Sequence, residues 1–179
     1  MSSQKTGSKV IVITGASSGI GKATAQALVD EGNKVALIAR SEDKLNDLVA
    51  DLGEANAFAV TADVSDFNDL EKAFSKVAQH YGHVDGVFAN AGTGAKSAGI
   101  ENGDVAEWKS MLGANVNGLL YTAKLGLPLL KKTKGHFILT SSVAGRIALK
   151  GSVYGASKWF AYGFGQNLAE EMREWGGRC

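Results

Sequence analysis

The sequence predicts a doubly wound α/β domain: one parallel sheet with helices on both faces, three layers in all. Three observations carry that expectation. Short apolar runs alternate with longer segments of helical period along the chain. The short runs are apolar at successive positions rather than at every second one, which is how strands buried on both faces read. A chain of 179 residues, 45% of them apolar, has the size and composition of a single domain spanning residues 1–179.

The elements follow in order. Lys9–Thr14 reads as the first strand, and Ile20–Glu31 as a helix that Gly32 would stop. Lys34–Ala39 is the second strand, followed by a helix over Asp43–Leu52 closed by Gly53. Ala57–Thr61 is the third, and the helix after it, Phe67–Tyr81, has Asp66 as N-cap, Asp69 in its first turn and Gly82 beyond its end. Val84–Ala89 is the fourth strand, leading into a flexible loop with four glycines, Gly92–Gly103. A long helix over Val105–Lys132, a fifth strand over His136–Ser141 and a last helix over Ser152–Trp175 complete the pattern.

Composition narrows the function. With 19 Lys+Arg against 18 Asp+Glu, the chain lacks the basic excess of a nucleic-acid binder. The polar start, Met1–Lys9, meets an apolar run of only four residues, Val10–Ile13, too short for a signal-peptide core or a membrane span. The one cysteine, Cys179, allows no intrachain disulfide, which fits a reducing compartment, and a cytoplasmic protein is expected. His80, His83 and His136 have no carboxylate cluster around them, so no metal site is expected. There are 23 glycines, well above the average share of roughly 7%, so position has to explain them.

Part of that surplus lies where the first strand meets the first helix, in Thr14-Gly15-Ala16-Ser17-Ser18-Gly19-Ile20-Gly21. Gly15 suits a tight turn, Gly19 lets the backbone approach a pyrophosphate, and Gly21 permits close packing of the helix. Ser17, Ser18 and Ile20 complete a turn whose helix N-terminus offers free amides to phosphate. This is the context of a Rossmann-type dinucleotide site. The second strand ends Ala39-Arg40, where an NAD site usually has an acid for the ribose 2′-hydroxyl. Arg40 would instead meet a 2′-phosphate, so NADP(H) is preferred, with NAD(H) the alternative.

TGxxxGxG at Thr14–Gly21, Asp63-Val64, Asn90-Ala91-Gly92, Asn115, Ser142 and YxxxK at Tyr154–Lys158 occur in order at element ends. Together they make the chain resemble the short-chain dehydrogenase/reductase family over nearly its whole length. The resemblance implies an oxidoreductase with a small carbonyl or alcohol substrate. It implies that Asp63 binds adenine with Val64 beside it, and that Asn90, Ala91 and Gly92 line the cofactor and brace the central strand. Lys158 would hold the nicotinamide ribose, and Asn115 a water in a proton relay. It further implies dimers or tetramers packed through the two long helices, Val105–Lys132 and Ser152–Trp175. Members continue beyond this last helix into a strand, a substrate lid and a final strand. The chain ends at Gly176–Cys179, so it is expected to be C-terminally incomplete relative to the family.

The residues themselves suggest the chemistry. Tyr154 and Lys158, four apart on a helix, project from one face. A free phenol has a pKa of about 10, and a neighbouring cation favours phenolate, which suits Tyr154 to acid–base work. Ser142, beyond the fifth strand, can polarise a substrate carbonyl. The family spacing of thirteen before the tyrosine selects Ser141 instead, whereas alignment through Val143-Ala144-Gly145 selects Ser142. A second class of function is a catalytically silent NADP(H)-binding scaffold or sensor.

Overall fold

Five strands form one parallel sheet: β1 (Val10–Thr14), β2 (Lys34–Ala39), β3 (Ala57–Thr61), β4 (Gly86–Ala89) and β5 (His136–Leu139). Their order is β3-β2-β1-β4-β5 in a computed structural model that describes residues 7–95 and 99–179. The first six residues of the polar start, and 96–98 of the glycine-rich loop, lie outside the described residues. The chain winds outward from β1 in one direction and then from β4 in the other. That reversal leaves a crevice at the carboxyl ends of β1 and β4, where ligands of such sheets bind.

Alternation along β2 shows how both faces are covered. Val35, Leu37 and Ala39 pack with Ala25, Leu45 and Leu48 of the helices α1 (Gly19–Asp30) and α2 (Glu42–Leu52). Ala36 and Ile38 point the other way, into a core with Leu70 and Phe74 of α3 (Phe67–Tyr81) and Ala123 of α5 (Gly118–Thr133). Leu168 and Met172 of α6 (Val153–Arg173) belong to that second core. Leu45 and Leu48 are fully buried, and each such side chain contributes about 1.5–3 kcal/mol on leaving water.

The expected single helix over Val105–Lys132 is two helices. α4 (Val105–Leu112) and α5 are joined by a π-helical turn over Gly113–Asn117, with the Gly118 amide donating to the Gly113 carbonyl. The wider turn carries Asn115, whose side chain is fixed by tertiary hydrogen bonds rather than by the helix. Three strands are also shorter than expected, β1 by one residue and β4 and β5 by two each. β4 begins at Gly86, although Asp85 just before it donates its amide to the Val10 carbonyl at 2.9 Å and accepts the Val10 amide on its carboxylate at 2.8 Å. β5 stops at Leu139, and Ser141 turns to donate its hydroxyl to the Lys158 carbonyl at 2.9 Å.

On the α1 side no described helix covers β4 and β5. An open groove of about 780 Å³ runs there over Ile11, Phe88 and Ile138, the last 55% exposed. Arg178 lies parallel to the outer edge of β5, its carbonyl receiving the Phe137 amide at 2.8 Å. Among the described residues no helix is long and apolar enough to cross a membrane.

Candidate active site

The crevice is a cleft of about 690 Å³. At one end the chain leaves β1 through Gly15 at φ +68°, whose amide donates to Ile38 of β2 at 2.8 Å. α1 starts at Gly19 behind an extended Ser18 with no side-chain cap and no acidic residue in its first turn. Its leading amides and positive dipole end therefore remain available to an anion in the cleft. Gly19, at φ +51°, has open space where a side chain would stand. Gly21 lies where α1 comes close to the ends of β1 and β4. A Cβ there would lie 2.3 Å from the Gly15 carbonyl oxygen, so this residue seats the helix against the turn itself.

The turn is held by the strand beside it. The Thr14 hydroxyl accepts from the Asn90 and Ala91 amides at 3.1 and 3.2 Å. The Asn90 side chain donates to the Thr14 and Gly15 carbonyls and accepts from the Thr140 hydroxyl at 3.1 Å. One amide thus ties together the ends of β1, β4 and β5. Beyond β2, Arg40 is exposed, 4.0 Å from Asp63. Burial raises the Asp63 pKa, but hydrogen bonds from the Ser65 amide and hydroxyl and the charge of Arg40 outweigh it. They hold this carboxyl below its usual value.

The other end is built by β5 and α6. Ser142 caps a 3₁₀ turn over Val143–Gly145, its Oγ accepting from the Ala144 amide at 3.1 Å. Gly145 lets that turn pack on α6, since a Cβ there would lie 2.5 Å from the Lys158 carbonyl. Ser152 caps α6 by accepting from the Gly155 amide, and Tyr154 and Lys158 follow on its first turns. The Lys158 ammonium donates to the Thr140 carbonyl at 3.0 Å and lies 5.9 Å from the centre of the Tyr154 ring. Burial pushes its pKa down. The two serines differ in a useful way: Ser141 has spent its hydroxyl hydrogen on Lys158, whereas Ser142 only accepts.

The residues singled out from the sequence line this cleft, with two exceptions. Gly21 stands behind Gly15, and Asn115 is 3% exposed behind Thr93. Sequence reasoning missed Thr140 and Ser157, and gave Thr14 and Thr93 no bonding role. Each lies within three residues of a motif residue, but its role depends on partners distant in sequence. His80 stacks on Phe58, and His83 faces the Tyr81 carbonyl and Asp85.

The sequence profile described as short chain dehydrogenase matches residues 9–178. The chain belongs to that family. An oxidoreductase of Botryotinia fuckeliana is 37% identical over 170 residues, 94% of this chain and 62% of the relative. An uncharacterized oxidoreductase of Listeria monocytogenes is 45% identical over 157 residues, 84% of this chain and again 62% of the relative. The short-chain dehydrogenase chain thus spans less than two thirds of either. Among solved structures, an alcohol dehydrogenase from Thermococcus sibiricus complexed with 5-hydroxy-NADP superposes with a TM-score of 0.88 at 35% identity. That match covers 92% of this chain and 72% of the other. A 3-ketoacyl-(acyl-carrier-protein) reductase from Brucella melitensis complexed with NADH gives 0.89 at 29% identity, covering 95% and 72%.

Proposed function

We propose that this chain binds a nicotinamide dinucleotide, NADP(H) in preference to NAD(H), and interconverts a carbonyl compound and a secondary alcohol with Tyr154 moving the proton. One observation carries the reading: Tyr154, Lys158 and a Ser142 hydroxyl with its hydrogen unspent share a cleft with an uncapped helix N-terminus on a glycine turn. The residues fit such a cofactor. Ser17, Ser18, Ile20 and the opening amides of α1 would hold its phosphates, Arg40 a 2′-phosphate, and Asp63 and Val64 the adenine. Asn90, Ala91 and Gly92 would line its middle, and Lys158 its nicotinamide ribose. When bound, the cofactor supplies or accepts the hydride.

The protein's share is the proton and the charge. Ser142 donates to the substrate oxygen as it becomes negative, and Tyr154 delivers the proton to it; in the alcohol direction Tyr154 removes that proton. The Asn115 carboxamide has both donors engaged, with Thr93 and Ser157, and accepts from the Thr93 amide. A relay water at this residue therefore rests mainly on its main chain. Val143, Ile147 and Leu149, all exposed between Ser142 and Tyr154, give the substrate an apolar approach.

Fluorescence titration of the chain with NADPH and NADH, then turnover with unhindered ketones and aldehydes, tests the reading. Binding without turnover of any of them leaves the silent scaffold. The related structures with NADP and NADH support the cofactor class, so the choice between the two rests on Arg40. A charge-assisted hydrogen bond contributes about 1.5–3 kcal/mol, less for a side chain as exposed as this one. Arg40→Ser is expected to weaken NADPH by about tenfold and leave NADH nearly unchanged. Equal binding of the two cofactors by the wild-type chain counts against it.

The same reading includes assembly through α4, α5 and α6. Leu112, Leu120 and Trp159 leave apolar surface on those helices, with Trp159 48% exposed. Light scattering is expected to return the mass of at least two chains, and a monomer at micromolar concentration refutes this part.

A further inference from the structure

Ser157 lies between the two residues of the YxxxK motif that carry the chemistry, and it is 1% exposed. Its hydroxyl donates to the Tyr154 carbonyl at 2.7 Å and accepts from the Asn115 side-chain amide at 3.0 Å. The same Asn115 amide grips the main chain of Thr93 at both ends, accepting from its N–H at 2.8 Å and donating to its C=O at 2.9 Å. Gly92, one residue earlier, has little room for a side chain. A Cβ there would lie 3.0 Å from the Asn115 oxygen and 3.5 Å from the Lys158 ammonium. Three separate pieces of chain, the loop after β4, the π-helical turn and the start of α6, therefore meet at the buried Asn115 carboxamide, and the Ser157 hydroxyl is its tie to α6.

We infer that Ser157 is a positioning residue for the nicotinamide end of the cleft: its hydroxyl locks the Asn115 carboxamide, and through it the Gly92–Thr93 main chain, to the helix carrying Tyr154 and Lys158. The inference rests on the cofactor reading above. Without the hydroxyl, one Asn115 donor is buried with no acceptor, and the carboxamide keeps its two bonds to Thr93 but loses its tie to α6. The wall facing Lys158 then loses its fixed position. The adenine end, built by Gly15, Gly19, Arg40 and Asp63, shares none of these bonds.

The test compares two ligands in calorimetric titrations of the wild-type chain and Ser157→Ala: NADPH, and adenosine 2′,5′-bisphosphate, which lacks the nicotinamide half. NADPH is expected to weaken by about tenfold while the bisphosphate stays within about twofold. A general loosening of the fold would weaken both alike, and that result, or no change in either, overturns the inference. Exchange of the Thr93 amide hydrogen, followed by NMR without ligand, is expected to quicken by about tenfold or more in the variant. An unchanged rate at Thr93 also overturns it. Ser157→Cys, which keeps the volume but accepts hydrogen bonds weakly, is expected to repeat the pattern and stands in should the alanine variant fold poorly. If the wild-type chain binds neither NADPH nor NADH, the cofactor reading itself fails and takes this role with it, while the Thr93 exchange still reports whether the lock exists.

Discussion

Tyr154→Phe is expected to lower carbonyl reduction by about a thousandfold while NADPH affinity changes by no more than about twofold. The substitution removes a single oxygen atom from a side chain on the first turn of α6, so the fold has little reason to respond. Lys158 keeps its place, because its ammonium is anchored by the Thr140 carbonyl rather than by the phenol. What disappears is the group proposed to hand a proton to an oxygen becoming negative, a service that typically contributes 10²–10⁴-fold. Ser142 cannot replace it well. Its hydroxyl can donate a hydrogen bond, yet an aliphatic alcohol is a far weaker acid than a phenol, and Tyr154 has the Lys158 ammonium 5.9 Å from its ring centre. Steady-state rates of NADPH oxidation with a ketone, read beside a binding titration, separate the two effects. A rate within about twofold of wild type would mean that the proton comes from water or from a serine.

What could be read from the sequence was whatever is decided locally. β2, β3 and α3 lie where the pattern puts them, at Lys34–Ala39, Ala57–Thr61 and Phe67–Tyr81, because each is bounded by residues that act on their own neighbourhood. Asp66 accepts from the Asp69 amide at the head of α3, and Gly82 takes the left-handed conformation at its end. The break inside Val105–Lys132 was not legible. A π-helical turn adds one residue while leaving apolar positions three and four apart on either side, so the period hardly changes. Its cause, the bonds from Asn115 to Thr93 and Ser157, joins residues 22 and 42 apart in sequence. The cleft divides in the same way. Glycines, the Tyr154–Lys158 pair and Arg40 declare themselves by type and spacing, whereas the tasks of Thr14, at the end of β1, and Thr140, just beyond β5, show only once Asn90 is placed between them. Family spacing favours Ser141 and alignment favours Ser142; what supports our proposal of Ser142 is that Ser141 donates its hydroxyl to a carbonyl 17 residues away.

Gly21→Ala is expected to unfold more easily by about 2–3 kcal/mol and to bind NADPH at least about a hundredfold more weakly. Helix propensity argues the opposite, since alanine in a helix interior is favoured over glycine by about 1 kcal/mol. Packing decides against it. The added Cβ would lie 2.3 Å from the Gly15 carbonyl oxygen and 2.9 Å from the Asn90 side-chain nitrogen, far inside contact distance. Neither neighbour can retreat. Gly15 is fixed by its amide bond to Ile38 and has Ala91 close behind it, and Asn90 is bonded to Thr14, Gly15 and Thr140. Relief comes only by sliding α1 outward or opening the turn, and both carry the leading amides of the helix away from the place where they converge on phosphate. Gly19→Ala provides the contrast. There the added Cβ meets nothing within 4 Å, so the fold bears only the left-handed conformation at φ +51°, about 1–2 kcal/mol, and most of the damage falls on the approach of the phosphates. Urea unfolding together with NADPH titration of both variants measures the difference. A Gly21→Ala chain as stable as the wild type, with its NADPH affinity intact, would show that the turn yields where this structure holds it rigid.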